Sequence, residues 1–299
     1  MMMRVWFLLI LNLTDMKSIV YILIMLICSI LISAVPNSTS NQKKVIEIHS
    51  AVDNPDPALL DESCRIIRNR LSDYGLQNVD VSVDPNRSSI NISVSDKTDT
   101  DAILPLLTSK GEIEFYETYD RADVVKLLEE GDKLYSLLNI VPGNATAAIL
   151  GYCKPGLKSQ VDSWLAQHYV SKPGEGIKFA WSKGPNRNGD YGLYLLKHDA
   201  ALDKDEILEA SAGKADDSYE LMITFNENGT LKWQDLSRNN INKSIAMVID
   251  NLVYFAPVLK DEIKSGKCSV SGNFTLEDVT LLKSLINNGE LPLDLIIVK

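Results

Sequence analysis

Three histidines, at 49, 168 and 198, and four cysteines, at 28, 64, 153 and 268, are the residues best suited to ligate a metal or serve as nucleophile or base. Their spacing supports neither use. No histidine has a second histidine or cysteine three or four residues away, and no cysteine pair has C-x-x-C spacing. Cys64 falls on the apolar face of a predicted helix, where it reads as a small buried hydrophobe. Asp199, Asp203, Asp205, Glu206 and Glu209 form an acidic run without the glycine or the D-x-D-x-D-G order of a calcium loop, so it reads as a solvated loop. The G-x-S-x-G, G-x-x-x-x-G-K-S/T and G-x-G-x-x-G patterns are absent. These spacings predict a non-enzymatic chain, with no catalytic, cofactor-binding or metal-binding residues.

The aromatic residues are better placed for recognition. Trp233 lies on a predicted helix and reads as core. Trp181 adjoins a loop rich in Gly, Pro, Lys and Asn, and Tyr191 and Tyr194 follow on a predicted strand. Aromatics on such segments build surfaces for polypeptide. Trp181, Tyr191 and Tyr194 are therefore the candidate polypeptide-binding residues, with a nearby edge strand available for β-augmentation.

Composition narrows the partners further. The 299 residues are 45% hydrophobic and 23% charged, as in an ordinary globular protein. With 40 acidic against 30 basic residues the net charge is −10, which argues against nucleic acid as a partner, because phosphate binding rests on Lys/Arg clusters.

The N-terminus reads as a targeting segment. Apolar runs cover 5–13 and 19–35, Lys17 precedes the second, and a polar linker covers 36–43. This predicts a signal peptide or membrane anchor over 1–35, with the rest of the chain on the far side of the membrane. Met16 offers an alternative start.

Lys44–His49 reads as a strand. Asp56-Pro57 caps a helix whose apolar face carries Leu60, Cys64, Ile67, Leu71 and Tyr74, and Gly75 ends it. Strands at Val79–Val83 and Ser89–Ser95, a helix near 99–108 and a strand at Glu112–Tyr119 complete a βαββαβ order. That order predicts a ferredoxin-like base over 44–119. A variable head region follows over 120–218, with helices at 121–138 and 157–169, strands at Ile177–Trp181 and Tyr191–Lys197, and an acidic loop at 199–217. The segment 219–299 reads as strand, helix (229–240, with Leu231, Leu236 and Ile241 inward), a hairpin around Asp250-Asn251, a helix capped by Thr275, and a closing strand at Leu293–Val298. The predicted class is α+β, a base plus a second α+β head subdomain, with mostly antiparallel sheets.

Several segments resemble one family in order. Ile66–Leu76 is similar to a helix of SecD, the accessory protein of the Sec translocon, and Gly111–Tyr119 to a strand of fused SecDF proteins. Ser244–Asn251, Ala256–Val258, Ser271–Asp278 and Asn288–Pro292 follow the order and spacing of SecD motifs. The resemblance runs from about 44 to 299 and is weak over 120–218. It implies the first periplasmic domain of that family, a ferredoxin-like base carrying a mobile head that holds emerging preprotein. Asp250, Asn251, Pro257, Gly272, Asn273, Phe274 and Thr275 carry the match and read as fold determinants, Gly272 in a tight turn and Thr275 as a helix cap. In the family, transmembrane helices carry the charges of proton coupling. This chain stops where they would begin, so the expectation is a stand-alone exported protein without proton transduction of its own. The implied role is binding of exported polypeptide or of a Sec component, periplasmic or tethered through 19–35. The alternative is an envelope interaction module unrelated to secretion.

Overall fold

Asp56, ahead of Pro57, sets the first helix: its carboxylate accepts the Ala58 N–H at 2.9 Å, and proline fills a position whose N–H has no helical partner. The resulting helix α1 (Pro57–Asp73) buries Leu60, Cys64, Ile67 and Leu71. Gly75, at φ +102°, takes the left-handed turn that ends it. The structure is a computed structural model that describes residues 42–122, 133–140, 148–168, 176–215 and 218–297. The predicted targeting segment and most of the linker after it lie outside these residues.

The base sheet has the order β14-β1-β3-β2, from β1 (Lys43–Ser50), β2 (Asp80–Asp84), β3 (Ser89–Ser95) and β14 (Leu295–Ile297). Helices α1 and α2 (Thr100–Thr108) contribute Leu60, Ile67, Leu71, Ile103, Leu106 and Leu107 to its core. This is the ferredoxin-like βαββαβ order, with one difference from the sequence reading. The last strand of the base is β14, antiparallel to β1, and not 112–119. Strand β4 (Ile113–Glu117) instead enters the head, because Phe115 and Tyr116 on its opposite faces both need cover. The base is thus closed by the end of the chain.

The head is built on a seven-stranded sheet of order β5-β7-β6-β12-β11-β4-β8. Its other strands are β5 (Ile149–Cys153), β6 (Ile177–Ser182), β7 (Tyr191–Lys197), β8 (Leu202–Asp203), β11 (Ile245–Ile249) and β12 (Leu252–Phe255). Helices α3 (Lys133–Leu137) and α4 (Lys158–His168) cover β5, β6 and β7 with Leu134, Val161, Trp164 and Leu165. A three-stranded antiparallel sheet, β13-β10-β9, comes from β9 (Ile207–Ala215), β10 (Ser218–Phe225) and β13 (Lys267–Phe274). It encloses a second head core with α5 (Glu227–Asn239), centred on Phe115, Phe225 and Trp233, whose ring centroids lie 5.1–5.8 Å apart.

Helix α6 (Leu276–Asn288) serves both cores. Thr275 caps it through a reciprocal pair with Asp278. Its Leu281 and Leu285 pack on the base, while Val279, Leu282 and Ile286 pack in the head. Each such burial contributes roughly 1.5–3 kcal/mol, so one helix stabilises both subdomains.

Other readings change locally. The acidic segment 199–217 contains the nine-residue strand β9, held by pairing with β10 along its length. On α5 the inward residues are Gly229, Trp233, Leu236 and Ser237, whereas Leu231 and, beyond the helix end, Ile241 are exposed. Gly272 lies within β13, not in a turn. Of the predicted helix 121–138, residues 123–132 lie outside the described residues.

Candidate functional site

The period-two geometry of a strand divides the three candidate aromatics. Trp181 on β6 pairs with Leu193 on β7 and faces α4, as does Tyr191. Tyr194 pairs with Ala180 and faces the opposite side of the sheet. Trp181 is only 8% exposed, and its indole N–H donates to Asp162 Oδ1 at 2.7 Å. The Lys158 ammonium lies 5.1 Å from the Trp181 ring centre and 4.3 Å from that of Tyr191. Trp181 and Tyr191 therefore form one cation–π cluster beneath α4.

Tyr194 lines a cleft of about 250 Å³ with Tyr152, Tyr254, Gly192, Lys183 and Pro185. A Cβ on Gly192 would stand 3.5 Å from the Tyr152 ring. The Lys183 ammonium is 5.5 Å from the Tyr254 ring centre. Burial raises the Tyr194 and Tyr254 hydroxyl pKa values, with nearby Tyr152 and Asp250 adding to the respective effects. Both phenols stay protonated at neutral pH and can donate or accept. The cleft thus offers apolar ring faces, a cation and phenolic hydroxyls, which suits side chains of a polypeptide. The adjacent edge of β5 is occupied at Tyr152, whose backbone bonds Asn139 at 2.7 and 3.0 Å.

A second constellation joins base and head. Arg70 on α1 is fully buried, and its guanidinium donates to the carbonyls of Leu106, Ser109, Lys110 and Gly289 at 2.5–3.3 Å. These come from the end of α2, the crossover into β4 and the end of α6. Burial lowers the Arg70 pKa to about 10, with Asp250 and Glu290 pulling the other way. The group remains cationic at neutral pH. Asp250, at the tip of the β11–β12 hairpin, accepts from Gly111 N at 2.8 Å, Glu112 N at 2.9 Å and the Ser109 hydroxyl. Asp250 and Asn251 have φ of 51° and 62°, the left-handed pair that a tight hairpin requires. Gly111 is needed beside them: at φ +81°, a Cβ there would stand 2.4 Å from Arg70 Nη2.

The remaining motif residues support this junction at a distance. Pro257 O accepts the Ile245 N–H at 3.2 Å, and Phe274 meets Phe255 with ring centres 5.2 Å apart. Asn273 lies within β13. The sequence carries one signal for Arg70 beyond its place in the Ile66–Leu76 motif. Ser63, Ile66, Ile67, Arg70 and Leu71 share the buried face of α1, so Arg70 occupies a place where the helical repeat calls for an apolar residue.

Beside the junction, Glu112, Glu114, Asp203, Asp205, Glu290 and Lys204 line a cleft of about 470 Å³. The Glu290 pKa is raised from 4.5, chiefly by burial and then by the charge of Glu112. A raised carboxyl pKa contributes stability below the unfolded value and loses it as pH rises through the folded one. Glu290→Gln should therefore melt higher than wild type at neutral pH, and the two curves should converge below about pH 4.3. Thermal melts across that range check this; parallel curves would contradict it.

The histidines stand apart. His49 lies 3.2 Å from Glu47, His168 stacks on Trp164 and His198 lies 2.8 Å from Asp199. Among the described residues no group of three His, Cys, Asp or Glu side chains is placed to hold a metal.

Comparison with known proteins places the fold. Residues 181–293 match the family described as SecDF, P1 head subdomain. The chain is 26% identical over 260 residues to the protein translocase subunit SecD of Calditerrivibrio nitroreducens, covering 85% of this chain and 43% of that protein. It is 31% identical over 118 residues to the SecD of Rickettsia conorii, covering 39% and 23% respectively. The chain thus spans less than half the length of either relative. A crystal structure of SecDF in a super-membrane-facing form aligns with a TM-score of 0.53 at 18% identity, over 87% of this chain and 30% of that one.

Proposed function

We propose that this chain carries a SecD-type periplasmic domain and acts in protein export as a non-enzymatic component that binds extended polypeptide or a part of the Sec machinery. The observation that carries this reading is the head-subdomain match over 181–293, which contains Tyr194 and Tyr254 of the cleft, the Asp250 hairpin and α6. The cleft supplies rings and hydroxyls on an exposed face, and the Arg70–Asp250 junction sets its head on the base. Polypeptide would bind at Tyr194 on one face of the sheet, with Tyr191 and Trp181 acting from the other face through the cation–π cluster. The domain faces the periplasm in this reading, free or tethered through 19–35. Among the described residues no helix is long and apolar enough to cross a membrane.

The test is fluorescence anisotropy with the purified full chain and a labelled, permanently unfolded polypeptide, reduced carboxymethylated α-lactalbumin. Saturable binding of the unfolded form and none of the native form is expected. Tyr194→Ala should weaken that binding by about tenfold, in line with loss of one aromatic anchor. Equal binding of native and unfolded forms, or none of either, would contradict polypeptide holding.

A further inference from the structure

Edge strands expose backbone groups that pair with other chains unless something covers them. The three sheets end in β14, β2, β5, β8, β13 and β9. Strand β2 is covered at Val81, whose carbonyl accepts from Arg68 Nη2 at 2.6 Å and from the Cys64 thiol at 3.4 Å. Strand β5 is paired at Tyr152 with Asn139. Strand β9 is clasped at Ala210 by the Asn287 amide, which accepts its N–H at 2.7 Å and donates to its carbonyl at 2.9 Å. Strands β8 and β14 have only two and three residues.

Strand β13 differs. It is eight residues long and, among the described residues, pairs only with β10. The Phe225 N–H donates to Gly266 O at 2.9 Å, which makes that facing pair hydrogen-bonded. By the alternation of antiparallel ladders, Ile223–Cys268 and Leu221–Val270 are bonded pairs, and Met222–Ser269 and Glu220–Ser271 are not. The N–H and C=O groups of Ser269 and Ser271 therefore point away from β10, and no described group bonds them. Lys267, at the start of the strand, is its one charged residue; from Cys268 to Phe274 there is no proline and no charge, the devices that normally blunt an edge.

We propose that the outer edge of β13 at Ser269–Ser271 accepts an extended, neutral-to-basic segment of another polypeptide as an added antiparallel or parallel strand. This deepens the polypeptide-binding reading and rests on it. The open backbone ladder selects for extended chain rather than for a folded surface. Charge selects among extended chains: Glu220 of β10 accepts the Ser269 hydroxyl and balances Lys267 at the start of β13, and the whole chain carries −10. A second copy of this chain brings the same negative charge and is disfavoured.

The test uses the full chain and a fluorescein-labelled alternating Thr-Val peptide with lysine at both ends. In wild type, amide exchange at Ser269 and Ser271 should be fast without peptide and slow by about tenfold or more at saturation, as their groups become paired. Ser269→Pro removes an N–H that β10 does not use, so the fold should hold, while peptide affinity should fall by at least about tenfold. Unchanged exchange at Ser271 at saturating peptide, or wild-type affinity in Ser269→Pro, overturns the proposal. If unfolded α-lactalbumin still binds in that case, the export reading stands and only the edge assignment fails. A concentration-dependent dimer abolished by Ser269→Pro would make the occupant a second copy and also overturn it. The wild-type exchange measurement decides the matter even if the proline variant fails to fold.

Discussion

Arg70→Met should lower the free energy of unfolding by about 3–5 kcal/mol, the range for removing one member of a buried charged network. Methionine approximates the aliphatic stem, so the loss isolates the guanidinium. Four carbonyls from three segments then lose their donor, those of Leu106 and Gly289 in buried positions. The favourable interaction between the guanidinium and the Asp250 charge is lost as well. Arg70→Lys should recover only part of the loss, because an ammonium lacks the planar fork that reaches carbonyls on two sides. Urea unfolding monitored by circular dichroism checks both variants. A loss below about 1 kcal/mol for Arg70→Met, the worth of one ordinary hydrogen bond, would contradict the assignment.

Asp250→Ala should cost about 2–4 kcal/mol, combining lost charge-assisted hydrogen bonds with a left-handed backbone that alanine tolerates poorly. The carboxylate holds the Gly111 and Glu112 amides and the Ser109 hydroxyl, the stretch over which the chain leaves the base for the head. Asp250→Asn keeps the φ of 51° accessible and one amide oxygen for the same donors, so it should cost about half as much. Arg70 and Asp250 share Ser109 and act as one unit, so their losses should be non-additive by about 1 kcal/mol or more in a double-mutant cycle. Strict additivity in denaturant melts would show that the junction is two independent contacts.

What the sequence revealed and what it concealed divide along the range of the interactions. Helix α1 with its Asp56 cap, the Asp250-Asn251 hairpin and the Thr275 capping box were legible because their determinants lie within a few residues. The destination of β4 was not. Its order after α2 fits a ferredoxin-like unit, and only the need to cover both Phe115 and Tyr116 sends it into the head. Strand β9 looked like an acidic loop because Ala210, Ser211, Ala212 and Gly213 have little strand preference of their own; the ladder with β10 makes them a strand. Trp181 reads as a binding candidate because it adjoins a loop in sequence, yet α4 covers it through Val161 and Leu165 and binds its indole through Asp162. Arg70 was visible within a motif, but its carbonyl partners come from as far away as Gly289.

The export role is tested most directly by site-specific photocrosslinking in cells, with a benzophenone amino acid at Tyr194 and at Ser269 and with partners identified by mass spectrometry. The account predicts adducts with exported polypeptides in transit from both positions, or with Sec translocon subunits, and none from a control position on the base sheet such as Asn91. Folded, correctly located protein that yields no such adducts from either position would contradict it, leaving the SecD-type fold without the function proposed here.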